Sequence, residues 1–216
     1  MFAALAFTLL PSEALGKARI TPTFLEDAEL DWTSTADGDR NIAIGYQSMY
    51  DHNGGDDNIA IGSSAMKDGE GDGADNIAIG TEALKNIGAG AARNIAIGGD
   101  AQKIQNGAAT DNISIGYQSL YNNTVGDYNV AVGHGAAGQL TTGGHNTAIG
   151  YNALGSVTTN SSNIAIGSNA APDATGSQNT VVGVGAATNL TSGNYNTFLG
   201  YDAGDITTTG SSNTYL

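Results

Sequence analysis

Four groups of residues in this chain have types and spacings that bear on chemistry. Asp68-Gly-Glu70-Gly-Asp72-Gly73 alternates carboxylates and places Gly sixth, as a calcium loop does to offer hard oxygen ligands around a sharp turn. The twelfth position is Ile79, where such a loop needs a bidentate Glu, so Asp68, Glu70 and Asp72 are a metal candidate without its closing ligand. They are expected to form an Asp/Gly surface turn. Gly54-Gly55-Asp56-Asp57 begins like a calcium-binding nonapeptide but lacks the later Gly and occurs once. The three histidines, His52, His134 and His145, are separated by whole repeats or lie in turns, and are read as solvated turn residues with no Ser–His–Asp arrangement. No catalytic residue and no cofactor-binding pattern emerges. Tyrosines at 46, 117, 151 and 201 recur at one repeat position, with Tyr50 and Tyr121 at another. Their rings either stack against sugar rings or cover the small residues of an adjacent repeat.

The element that must position all of these is a repeat. A pentapeptide, Asn–apolar or Thr–small–Ile/Val/Leu–Gly, begins at Asn41, Asn58, Asn76, Asn94, Asn112, Asn129, Asn146, Asn163, Asn179 and Asn196, and an eleventh copy begins at Asn213. The copies are 16–18 residues apart. A unit this short cannot bury its own apolar face, so the period means stacked coils. The chain is therefore expected to be all-β, a parallel β-solenoid of about eleven coils over residues 41–216, with residues 1–40 as an N-terminal cap or attachment segment. At ~4.8 Å per coil the rod would be roughly 50 Å long.

Counting the Asn as position zero, position three is always branched and apolar, from Ile44 to Leu216, and position four is Gly in all ten complete copies, from Gly45 to Gly200. Position seven is Ala or Ser throughout. Alternation along a strand puts positions one and three on one face and zero, two and four on the other. Position three is assigned to the coil interior. The Gly suits a corner that excludes a Cβ. Position seven needs a small side chain, either inside a narrow coil or against a neighbouring chain. The stacked Asn residues are expected to form a structural ladder of side-chain amides.

Composition agrees. Of 216 residues, 32 are Gly and 3 are Pro, so little of the chain favours helix. With no Cys there are no disulfides or thiolate metal sites. The formal net charge is −14, and no Lys or Arg follows Lys103, which excludes nucleic acid as a partner. The run Phe2–Leu10 is too short to span a bilayer. It suits a secretion signal or, on the preferred reading, a cap, with residues 23–32 and Trp32 completing it. The sequence stops inside a repeat, which is read as a fragment of a longer fibre. An enzyme such as a polysaccharide-degrading fibre would need paired carboxylates in a groove, and residues 113–216 offer only Asp127, Asp173, Asp202 and Asp205. An ice-binding solenoid would need a regular Thr array, but Thr141-Thr142 and Thr158-Thr159 occur only in later repeats.

The phrases Asn146-Thr-Ala-Ile-Gly-Tyr-Asn-Ala-Leu154 and Asn112-Ile-Ser-Ile-Gly-Tyr-Gln-Ser-Leu-Tyr-Asn-Asn-Thr124 resemble the repeats of bacteriophage tail-fibre and tail-spike proteins. They are also similar to the head repeats of trimeric autotransporter adhesins. The resemblance covers residues 41–216 and implies a left-handed parallel β-roll, three chains side by side, and a role in attachment to a surface. The repeats are longer than the usual adhesin head unit, and no heptad stalk or anchor barrel is found, which favours a viral fibre on a virion over a bacterial cell-surface adhesin. Its partners would be its own copies, host-surface glycan and other fibre or virion proteins, with no membrane insertion. Independently of the resemblance, the strand positions are uncharged and mostly apolar on both faces, as a strand buried on both sides would be. That fits a trimer, with the Ala-rich face against partner chains, or a two-layer monomeric coil.

Overall fold

A strand of three residues has no stability of its own and depends on the strands above and below it. The computed structural model describes residues 38–216 except 53, 70, 72 and 207. The cap expected over residues 1–40, with Phe2–Leu10 and Trp32, falls outside the described residues except for 38–40. Each pentapeptide forms one strand. These are β1 (Ile42–Ile44), β2 (Ile59–Ile61), β3 (Ile77–Ile79), β5 (Ile95–Ile97), β7 (Ile113–Ile115), β8 (Val130–Val132), β9 (Thr147–Ile149), β10 (Ile164–Ile166), β11 (Thr180–Val182), β12 (Thr197–Leu199) and β13 (Thr214–Tyr215). They make one eleven-stranded parallel sheet in sequence order. Each residue pairs with its equivalent in the next repeat, as in Ile95–Ile113, Ala96–Ser114 and Ile97–Ile115. A short second sheet joins β4 (Asn86–Ile87) to β6 (Ile104–Gln105) on another side of the coil. The molecule is a parallel β-solenoid, with no helix among the described residues.

The solenoid is filled from the opposite face to the one expected. Position two, not position three, points inward: Ala60, Ala78, Ala96, Ala131, Ala148 and Ala165 are fully buried. Position three faces out, with Ile44 51 %, Ile97 36 % and Leu199 51 % exposed. Position one lies on the same outward side, with Ile42 48 % exposed. The Ala-rich face thus fills the coil and is not open to partner chains. The cause is the width of the coil. Positions two and seven meet across it, as the 2.6 Å contact between the Ser114 and Ser119 hydroxyls shows, and the gap does not admit a branched side chain on both sides.

Larger interior volume comes from positions eight and eleven. Met49, Met66, Leu84, Leu120 and Leu154 occupy the first, and Ile87, Leu140, Val157 and Leu190 the second, all buried. In the last full coil a large interior residue is matched by a glycine. Position two is Phe198 in the tenth coil, and position eight there is Gly204, where a Cβ would stand 2.2 Å from the Phe198 ring. Close packing thus couples the sizes of residues that meet inside one coil.

Corners require unusual backbone. Position four is left-handed glycine throughout; at Gly116 φ is 131°, and a Cβ would lie 2.6 Å from the Gly133 carbonyl oxygen. The residue before the Asn and positions six and eight also take positive φ, including Leu84 (48°) and Leu120 (46°). For a branched residue this costs about 1–2 kcal/mol, offset here by complete burial of both side chains. Backbone N–H groups at the turns donate to the next coil much as the strands do, as in Leu120 to Ala136 at 3.0 Å and Ala137 to Ala153 at 2.9 Å. The ladder therefore continues around the coil.

The interior also holds polar groups. Gln102 and Gln105 bond to each other at 3.0 Å, and Ser114, Ser119 and Asn123 follow in the next coil. They divide the apolar core into a section up to Ala101 and one from Leu120 onward. His52 is fully buried at position eleven, contrary to its reading as a solvated turn residue. Its Nε2 lies 3.5 Å from the Asn58 amide, and its Nδ1 meets no partner among the described residues. Burial holds the imidazole below its usual pKa. Above about pH 6.5 the ring is neutral folded and unfolded and contributes no pH dependence. Below that, the unfolded chain takes up a proton that the folded chain resists, so stability falls until the folded pKa is passed. Urea unfolding at pH 7.5 and pH 5 is expected to show a larger loss for the native protein than for His52→Leu, Leu being a residue that the same position already carries at Leu140 and Leu190. Equal losses would remove His52 as the cause.

Candidate functional site

The Asn ladder runs through every repeat. Each Asn oxygen accepts the backbone N–H of the next Asn, as from Asn146 to Asn129 at 2.9 Å. The same oxygen commonly also accepts the next side-chain amide, here at 3.1 Å. Each amide nitrogen donates to the carbonyl three residues before the next Asn, Asn129 to Gly143 at 2.9 Å being one case. Asn58, Asn76, Asn94, Asn112, Asn129, Asn146, Asn163, Asn179 and Asn196 are all buried, whereas Asn41 and Asn213 at the two ends are half-exposed. Every polar atom of the inner rungs is occupied by the fold, leaving none for a ligand.

Of the calcium candidate, Glu70 and Asp72 lie outside the described residues, and Asp68 is half-exposed in a bend. Among the described residues no three His, Asp or Glu side chains come close enough to hold a metal ion.

The four position-five tyrosines have different surroundings. Tyr46 and Tyr201 stand apart, because the neighbouring coils carry Ser63 and Val184 there. Tyr117 and Tyr151 are brought together by His134, which holds the same position in the coil between them. Its ring centroid is 5.2 Å from Tyr117 and 5.4 Å from Tyr151, both edge-to-face. In the sequence His134 reads as a lone turn residue, so it does not stand out. Its position, shared with four tyrosines, is the signal that could have found it. A second pair, Tyr128 and His145, stacks at 5.0 Å at the opposite end of the strand.

Beside the aromatic row lies a groove of about 380 Å³, bordered by His134 and Tyr151, by the amides of Gln118, Gln139 and Asn152, and at one end by Tyr121. It exists because position nine changes size. That position is Tyr50, Lys67, Lys85, Lys103 and Tyr121 in the first five coils, then Gly138 and Gly155. These two glycines and Gly135 form the floor. At Gly155 a Cβ would lie 1.9 Å from the Asn152 side-chain oxygen, so the glycine lets that amide turn down beside it. Tyr121 is held by the Lys103 ammonium, 5.8 Å from its ring centroid. Lys103 is in turn fixed by Asp100 at 3.1 Å and by Glu82. The hydrogen bond from Lys103, with a second from Lys85, holds the Glu82 carboxyl down at about 2. The groove lining carries no Asp, Glu, Lys or Arg.

A further exposed feature is the strand face itself. Positions one and three form two parallel columns of Ile, Val, Leu and Thr along the whole sheet, with no charged residue. No protein-family model matches this chain, and comparison with curated proteins and with solved structures finds no significant similarity.

Proposed function

We propose that this chain is the shaft of an attachment fibre of the kind carried on bacteriophage tails, built from three copies side by side, located on the virion and without catalytic activity. The observation that carries this reading is the outward column of branched apolar residues at position three. Ile44, Ile79, Ile97, Ile115, Ile149, Ile166 and Leu199 are each at least 36 % exposed and stand one above another in register. A continuous apolar strip of this length on a β-sheet marks an interaction surface. The partner that matches it is another rod of the same period, because only an equal step between coils keeps every Ile opposite an apolar neighbour. Copies of this chain meet that condition, and closed symmetry would bury the strip on every subunit. Absolute mass by light scattering after size exclusion tests the reading. A mass of three chains that survives dilution is expected; a single-chain mass overturns it.

A further inference from the structure

The groove beside the aromatic row lies around the Gly corner from the apolar strip, so it is a separate surface from the assembly face. We infer that it binds an uncharged saccharide chain, lying along the rod with its rings against His134 and Tyr151 and its hydroxyls on the amides of Gln118, Gln139 and Asn152. The inference takes the attachment reading as its premise and names what is attached to.

Three properties of the groove select this ligand class. Aromatic rings next to primary amides match a molecule with apolar C–H faces and hydroxyl edges, which a sugar has and a hydrocarbon or an ion has not. Gln139 accepts a bond from Asn122 at 2.8 Å through its oxygen, and Asn152 donates to Asn169 at 3.3 Å. Those bonds fix the two side chains while leaving the Gln139 nitrogen and the Asn152 oxygen for a ligand. The uncharged lining, on a chain of net charge −14, disfavours acidic polysaccharides and nucleic acids. Finally, a pyranose unit is about as long as the ~4.8 Å step between coils, so successive sugars meet successive coils. A volume of about 380 Å³ holds a short stretch of such a chain.

The repeats themselves supply substitutions that the fold tolerates. Position five is Ser63 and Ser168 in other coils, and position nine is Tyr50 and Tyr121. Calorimetry and saturation-transfer NMR on the full chain would use four neutral probes: maltotetraose, cellotetraose, laminaritetraose and the trimer of N-acetylglucosamine. At least one is expected to bind, with shifts of the His134 and Tyr151 ring resonances. His134→Ser and Tyr151→Ser should each weaken it by about tenfold. Gly138→Tyr, which rebuilds in the groove the side chain that Tyr121 places one coil earlier, should abolish it. Tyr201→Ser, at the same repeat position outside the groove, should leave it unchanged. Failure of all four probes, or binding indifferent to these variants, overturns the inference. Mass measured on the same samples separates the two readings: a three-chain particle that binds none of the probes overturns the saccharide site alone, and a single chain that binds overturns the assembly alone.

Discussion

Asn129→Ala is expected to cost more stability than almost any other single truncation in the shaft. Asn129 is 1 % exposed. Its oxygen accepts the Asn146 backbone N–H and amide at 2.9 and 3.1 Å, and its nitrogen donates to the Gly143 carbonyl at 2.9 Å and to Asn112 at 3.1 Å. Truncation leaves the Asn146 N–H and the Gly143 carbonyl buried and unpaired, at about 1–3 kcal/mol each, so a loss of about 2–6 kcal/mol follows. Asp does not rescue it, because a second carboxylate oxygen would face the Gly143 carbonyl where the amide donated. Asn213→Ala is the internal control. Asn213 is half-exposed, and its side chain makes one bond, donating at 3.2 Å to the Asn196 oxygen, which still accepts the Asn213 backbone N–H at 3.0 Å after truncation. Its cost should stay near 1 kcal/mol. In a stack of nearest-neighbour units a broken middle rung also uncouples the coils on either side, so urea unfolding of Asn129→Ala should split into two transitions. Similar midpoints for the two variants would mean that the ladder follows from the fold without supporting it.

That ladder was legible in the sequence because it depends on one residue type recurring at one place. The same holds for the corner glycines, whose backbone excludes every other residue. Which face of the strand is interior was not legible. Alternation separates two faces without saying which is inside, and Ile at position three suggested a core residue on chemistry alone. The answer depends on the width of the coil, a tertiary quantity: Ala78 and Ala83 are fully buried while Ile79 between them stays 37 % exposed. Positions eight and eleven are hidden in the sequence for a related reason. What stays constant there is burial rather than residue type, with residues as different as Met66, Gln102 and Ala187 all fully buried, so no column shows a constant type. The groove was half visible, in Tyr117 and Tyr151. Its remainder is made by what Gly138 and Gly155 leave out, and two glycines in a chain with 32 carry no signal until the coils are stacked.

The outward isoleucines lead to the second large effect. Ile97 and Ile115 are adjacent in the position-three column, paired in register and 36 and 37 % exposed. In a single chain they touch only the sheet beneath, so Ile97→Lys with Ile115→Lys should leave the solenoid intact, because a strand side chain that faces water accepts a charge at little cost. In the proposed three-chain fibre the same change would act on every copy. Each Ile lost gives up about a third of the ~1.5–3 kcal/mol of a fully buried aliphatic side chain, or ~0.5–1 kcal/mol. Repulsion outweighs that loss, since the ammonium groups of all copies meet at the shared axis with no carboxylate on the face to pair them, at several kcal/mol. The expected result is a single-chain mass by light scattering at micromolar concentration, with the β-rich circular dichroism spectrum unchanged. Placing the two lysines instead at Thr142 and Thr159, which are exposed in bends away from the strand face, should leave the mass at three chains. If the face double variant keeps the native mass, the apolar strip is not where the copies meet, and the assembly reading loses the observation on which it rests.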